Sequence, residues 1–206
     1  GLVGLNQGTS SATGTINNIT ITGTGNQIGG FIGNNGSSVA ISDLTVNKVK
    51  ITGNSIIGGL VGYNVNSAAI NNSTITDVTI TGSNSNIGGL AGMSNGNITG
   101  CKAEKILILQ VNTYCGGLVG YYTGSSIQSS STKNVVIKNN GDYTGGFVGA
   151  FEGGSGGATN GEIQKCSATD VYINTQGNYT GGFAGNSKGE NIKICTATNI
   201  NIESSG

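Results

Sequence analysis

The chain of 206 residues contains no proline, no histidine and no tryptophan, and all nine of its basic residues are lysine. Charged residues make up only 9%, and the formal net charge is zero. Each absence removes a class of protein. Without histidine no Ser/His or Cys/His dyad can be built, and a zinc site loses its usual nitrogen ligand. Without arginine or a positive surplus, a nucleic-acid binder lacks its phosphate-gripping groups. Without proline the 39 glycines cannot belong to a collagen. No apolar run reaches the ~18 residues of a membrane-spanning helix. The many β-branched residues and the low charge are unlike a disordered chain.

What the chain does have is a repeat. Gly-Gly-(Leu/Phe)-x-Gly occurs at Gly29–Gly33, Gly58–Gly62, Gly88–Gly92, Gly116–Gly120, Gly145–Gly149 and Gly181–Gly185, after a truncated copy at Gly1–Gly4. Taken from the second glycine, the steps are 29, 29, 30, 28, 29 and 36 residues. Between these anchors runs a block with apolar or small residues at offsets 0, 3, 5, 8 and 10, such as Ile70, Ser73, Ile75, Val78 and Ile80. Offset 10 is always isoleucine: Ile21, Ile51, Ile80, Ile108, Ile137, Ile173 and Ile202. Steps of two are strand alternation with one face buried. Steps of three interrupt it, as a corner between short strands would. No block keeps the 3,4 spacing of a helix.

The spacing therefore predicts an all-β parallel β-helix, a β-solenoid of about seven coils with about 29 residues per coil and three short strands in each. Identical positions stack at the interstrand spacing of about 4.8 Å, so the rod is roughly 30 Å long. Proline is absent because it would delete a ladder hydrogen bond. Glycines four residues beyond the anchor (Gly8, Gly96, Gly124, Gly153 and Gly189, with Asn66 in one copy) are expected at positive φ. Length varies only beside the anchors. The largest insertion adds seven residues within Glu152–Gly161 of the sixth copy.

The anchors Leu2-Val3-Gly4, Leu60-Val61-Gly62, Leu90-Ala91-Gly92 and Leu118-Val119-Gly120 resemble the GLUG motif, and Phe31, Phe147 and Phe183 depart from it at the Leu position. The resemblance spans nearly the whole chain. It implies a secreted or surface-displayed solenoid of the kind found in large bacterial adhesin-like proteins and in the accessory regions of secreted peptidases. It transfers no catalytic residue, because the motif glycines are architectural.

The four cysteines leave two readings open. Cys166 and Cys195 share a ladder in adjacent coils, and Cys101 and Cys115 fall in one coil. Two disulfides suit a surface protein, whereas buried free thiols serve as small apolar residues. No metal site is expected, since there is no C-x-x-C pair, and no cofactor. The nine carboxylates scatter over coils and faces. Asp77 and Asp170 share offset 7 but lie three coils apart, too far to act as a pair. An enzyme is not expected. Thr-x-Thr pairs at Thr20–Thr22, Thr74–Thr76, Thr79–Thr81 and Thr196–Thr198 do not continue through every coil, so an ice-binding face is not expected either. Six Asn-x-Ser/Thr sequons stand at Asn18, Asn35, Asn71, Asn72, Asn97 and Asn178.

Three features point outward. Leu107, Leu109 and Val136 are apolar at solvent-facing offsets, where a contact surface is the usual reason. Tyr121, Tyr122, Tyr143 and Tyr172, with Glu152 and Asn160 of the inserted loop, are the candidate ligand-binding residues. Residues 1–206 read as one solenoid segment, expected to be cut from a longer repeat protein, since the ends fall at anchor positions and bare coils expose strand edges. The leading expectation is a non-enzymatic, extracellular or cell-surface stalk or fibre whose partners are neighbouring coils or adjacent subunits. The alternatives are a module binding a host glycan or protein through the tyrosines or the loop, and a filament subunit stacked end to end.

Overall fold

The computed structural model describes residues 1–9, 12–153, 161–188 and 191–205. Among them there is no helix, and the strands form a parallel β-solenoid of about seven turns with a spacing near 29 residues. Three sheets run along the rod, of seven, six and twelve strands. The third coil shows the plan. Val61–Asn64 follows the anchor and lies in the seven-stranded sheet. Ile70–Asn71 and Thr74–Gly82 belong to the wide sheet of twelve strands, and Ile87–Gly88 to the sheet of six. In the second coil the two wide-sheet segments merge into Ile41–Gly53.

Pairing joins the same repeat position in successive coils, apart from one-residue shifts at Ala12–Gly14 and Leu109–Val111. Ile80 pairs with Ile51 and Ile108, and Ile137 with Ile108 and Ile173. All five of these isoleucines are fully buried. The core is thus a set of side-chain columns, which is what one-sided alternation produces when identical coils stack. The anchor Leu/Phe position forms another column, in which Phe147 and Phe183 stack at 4.7 Å. A further column is polar. Asn6 donates to Asn35, Asn35 to Asn64, and Asn64 to Ser94 Oγ, at 2.7, 2.8 and 3.1 Å. In the next two coils Tyr122 and Phe151 occupy the same register. Asn35, one of the sequons, is therefore wholly buried.

The steps of three have a single backbone cause. Offset 7 is left-handed in every coil, at Asn18, Lys48, Asp77, Lys105, Asn134, Asp170 and Asn199. Offset 2 behaves alike at Asp43, Asn72, Gly100, Ser129, Lys165 and Ile194. A third corner stands three residues before the second anchor glycine, at Gln27, Ile56, Asn86, Tyr114, Tyr143 and Tyr179. One left-handed residue between extended neighbours turns the strand and returns the next side chain to the inner face. Asn and Asp accept this conformation readily, whereas Ile56 and Ile194 are β-branched outliers costing roughly 1–2 kcal/mol each.

The glycines four residues past the anchor are a correction. Asn66 is left-handed, at φ 60°, but Gly8, Gly96 and Gly124 are not. Glycine stands at the last two for close approach. A Cβ on Gly96 would lie 1.7 Å from the Ala68 carbonyl oxygen, and one on Gly124 would lie 2.5 Å from Tyr122 Oη. Gly189 lies outside the described residues.

Candidate functional site

Four tyrosines gather on one edge of the rod. Tyr114, Tyr143 and Tyr179 occupy the third left-handed corner in successive coils, so the ladder places their rings one above another. Ring centroids are 5.1 Å apart for Tyr114–Tyr143 and 4.9 Å for Tyr143–Tyr179, with interplanar angles of 15° and 5°. Tyr121, on the outer face of the neighbouring sheet, tilts against Tyr114 at 4.9 Å. Its hydroxyl donates to Glu152 Oε2 at 2.8 Å. Burial, together with the nearby Glu152 carboxylate, pushes both the Tyr121 and Tyr114 phenols upward in pKa. The cluster presents ring edges, phenol hydroxyls and one carboxylate. Most ring faces are already occupied by other rings.

The candidates from sequence thus separate. Tyr121, Tyr143 and Glu152 come together through Tyr114, which sequence reasoning passed over. Its signal was legible, since Tyr-(Cys/Thr)-Gly precedes the anchor at Tyr114, Tyr143 and Tyr179 alike. Tyr172 lies on the outer face of the wide sheet, where its hydroxyl donates to Glu203 Oε2 at 2.7 Å. Tyr122 does not reach the surface. It is fully buried, and its hydroxyl is spent on the backbone of Ser126, donating to the carbonyl and accepting from the amide. Strand alternation explains the error, because adjacent Tyr121 and Tyr122 must point to opposite faces. Asn160 and most of the inserted loop lie outside the described residues.

All four cysteines are free thiols. Cys101, Cys166 and Cys195 share the offset-3 column with Ser73 and Ser130, and this column has a task. Ser73 and Ser130 donate to carbonyls two residues back, Asn71 and Gln128, at 2.9 Å each. The thiols of Cys101, Cys166 and Cys195 lie within reach of the equivalent carbonyls of Thr99, Gln164 and Lys193, at 3.6, 3.2 and 3.3 Å. In five coils a small donor, Ser or Cys, stands at this corner, whereas Gly14 and Leu44 occupy it in the first two. Cys115 is fully buried in the six-stranded sheet. Burial pushes the Cys101 thiol up to about 11 and Cys166 to about 12, and it raises Cys115 as well. These groups stay protonated and shielded at neutral pH. Native protein treated with iodoacetamide at pH 8 should therefore label at Cys195, the one thiol not buried, while unfolded protein labels at all four. Fast labelling of Cys101 or Cys115 in the native state, read by mass spectrometry, would contradict the packing.

Among the described residues no group of three or more His, Cys, Asp or Glu side chains could hold a metal ion. No helix there is long and apolar enough to cross a membrane. The surface hollows are shallow. One lies between outward residues of the first three coils, including Asn18, Lys48 and Asp77. Another is the uncovered core of the last coil, lined by Gly182, Phe183, Ile192 and Cys195. Compared with protein-family models, with curated proteins and with solved structures, the chain gives no match.

Proposed function

We propose that the chain is a structural spacer, a stiff length of a secreted or cell-surface protein that holds a binding element away from its anchorage and performs no chemistry itself. The observation that carries this reading is the parallel register of the wide sheet, in which each coil from the third to the seventh repeats the hydrogen-bonding positions of the one before, but for one shift after Leu109. Such a ladder resists bending and extension because every coil is tied by many parallel bonds. The resemblance of the anchors to GLUG repeats points the same way and supports an extracellular setting.

The test is an exchange in the source cell. Residues 1–206 are replaced by an unrelated parallel solenoid with the same number of coils. Surface exposure, read by protease shaving, and attachment of the cells should both persist. Loss of attachment with surface exposure intact would overturn the spacer reading. It would favour the alternative in which the tyrosine edge binds a glycan or protein. The specific observation behind that alternative is the convergence of Tyr114, Tyr121, Tyr143 and Glu152. Tyr121→Ala and Tyr143→Ala in the native chain should then abolish attachment as well.

A further inference from the structure

Tyr114, Tyr143 and Tyr179 stand at backbone positions that suit smaller residues better. Their φ values are 58°, 59° and 60°. An aromatic residue takes this left-handed conformation rarely, and Asn takes it more readily. Asn86 holds the same corner in the third coil, at φ 63°. The next three coils nevertheless carry tyrosine there. The corner alone does not account for that choice, and backbone held in a disfavoured region points to a use for the side chain.

The backbone fixes the spacing of the three rings. Tyr114 N donates to Asp142 O and Cys115 N to Tyr143 O, both at 3.1 Å. Tyr143 N donates to Asn178 O at 3.0 Å, and Thr144 N to Tyr179 O at 3.1 Å. Between Tyr143 and Tyr179 the ring centroids are 4.9 Å apart and the planes differ by 5°. A tilt about Cα–Cβ then brings an ortho carbon of one phenol onto that of the other. Tyr114 is less free to tilt, since Tyr121 also lies against it at 4.9 Å. Tyr179 is 61% exposed, and its one ring neighbour is Tyr143.

The rest of the chain offers few competing donors of a single electron. It has no tryptophan and no histidine, and one methionine. Cys101, Cys115 and Cys166 are buried thiols that stay protonated. Tyr122 is buried, with its hydroxyl held by Ser126. Tyr172 stands apart on the outer face of the wide sheet, in register with Val136 and, one coil further, Leu107. Among the described residues neither Tyr172 nor Tyr63 takes part in a ring contact.

We propose that Tyr143 and Tyr179 form an oxidative cross-linking site, at which a one-electron oxidant of the peroxidase class joins the fifth and sixth coils through a dityrosine bond. Each phenol gives up one electron and its hydroxyl proton and becomes a phenoxyl radical. The two radicals bond through their ortho carbons. The hydrogen on each of those carbons then passes to its ring oxygen, which restores both phenols. One hydrogen peroxide takes up the two electrons and two protons and leaves as two waters. The bond closes a loop across 36 residues. Like a disulfide, it restricts the unfolded chain and so stiffens the rod against unfolding.

The test treats the dilute folded chain with peroxidase and hydrogen peroxide, after Cys195 has been capped with iodoacetamide. The expected product is a monomer lighter by two hydrogen atoms, with dityrosine fluorescence and a raised melting temperature. Trypsin should then release peptides 139–165 and 166–188 joined together, and fragmentation should place the bond at Tyr143 and Tyr179. Tyr179→Phe keeps the ring and should keep the circular dichroism, yet lose this link. Tyr172→Phe should leave the link intact, and the chain unfolded in urea should give mixed pairs. A folded chain that forms no link within itself overturns the proposal. So does a bond at Tyr172, a full yield from Tyr179→Phe, or the same pairing in folded and unfolded chains.

Discussion

Replacing Gly117 by alanine is expected to destabilise the solenoid by about 3 kcal/mol or more, the upper range for overpacking. That would lower the melting temperature by roughly 6–12 °C for a chain of this size. The added Cβ would stand 2.2 Å from the Gly146 carbonyl oxygen of the next coil. The obstacle is backbone, so no rotamer change relieves it. Moving the coils apart would break the bonds on either side, Gly89 N to Gly116 O and Gly117 N to Gly145 O, at 3.3 and 3.2 Å. Gly4→Ala is the matched control. It is also an anchor glycine, yet nothing lies within 4 Å of its Cβ position, because no coil packs beneath it in this structure. Thermal unfolding followed by circular dichroism should separate the two variants widely. Equal melting temperatures would show that the coils do not stack as described.

Ile108→Ala should cost about 2–5 kcal/mol, the range for removing a buried aliphatic side chain and leaving a cavity. Ile108 lies mid-column, fully buried between Ile80 and Ile137. Its neighbours cannot collapse into the space, since each is tied to its own coil and every coil is pinned by ladder bonds. The same change at Ile202 should cost less than half as much, because that residue is already 39% exposed at the last coil. Urea unfolding of the two variants measures the difference. Equal losses would mean that stability is not built up coil by coil from neighbouring contacts.

The fold was legible because a solenoid writes each structural requirement several times. One copy of Gly-Gly-Leu-Val-Gly is ambiguous, but seven anchors at near-constant spacing give the coil length. The ten-residue block gives the strands, since alternation survives at offsets 3 to 5 and 8 to 10. The corners were legible as steps of three, and the left-handed residues at offsets 2 and 7 explain them. The reason for glycine at Gly96 and Gly124 was not legible. There it answers to the Ala68 carbonyl and the Tyr122 ring, neighbours brought close only by the turn. The placement of Tyr122 failed for a plainer reason. Strand alternation puts Tyr122 on the face opposite Tyr121, so only one of the two can point outward.

The cysteines show the same division. Their inward offset was readable, and so was the shared ladder of Cys166 and Cys195. That Ser and Cys interchange in five coils because either can donate to a corner carbonyl depends on where the corner turns. By itself the sequence determined the class, the coil and the inner columns, because those follow from periodicity and from the reach of one side chain. Only the tertiary structure decided which surface residues meet. Tyr114, Tyr121, Tyr143 and Glu152 come from three consecutive coils, Tyr121 from a strand and the others from positions beside strand ends. Leu107, Val136 and Tyr172 are likewise neighbours only across coils. Coil-to-coil register puts residues about thirty positions apart into contact, a distance at which no local pattern shows which of them will touch.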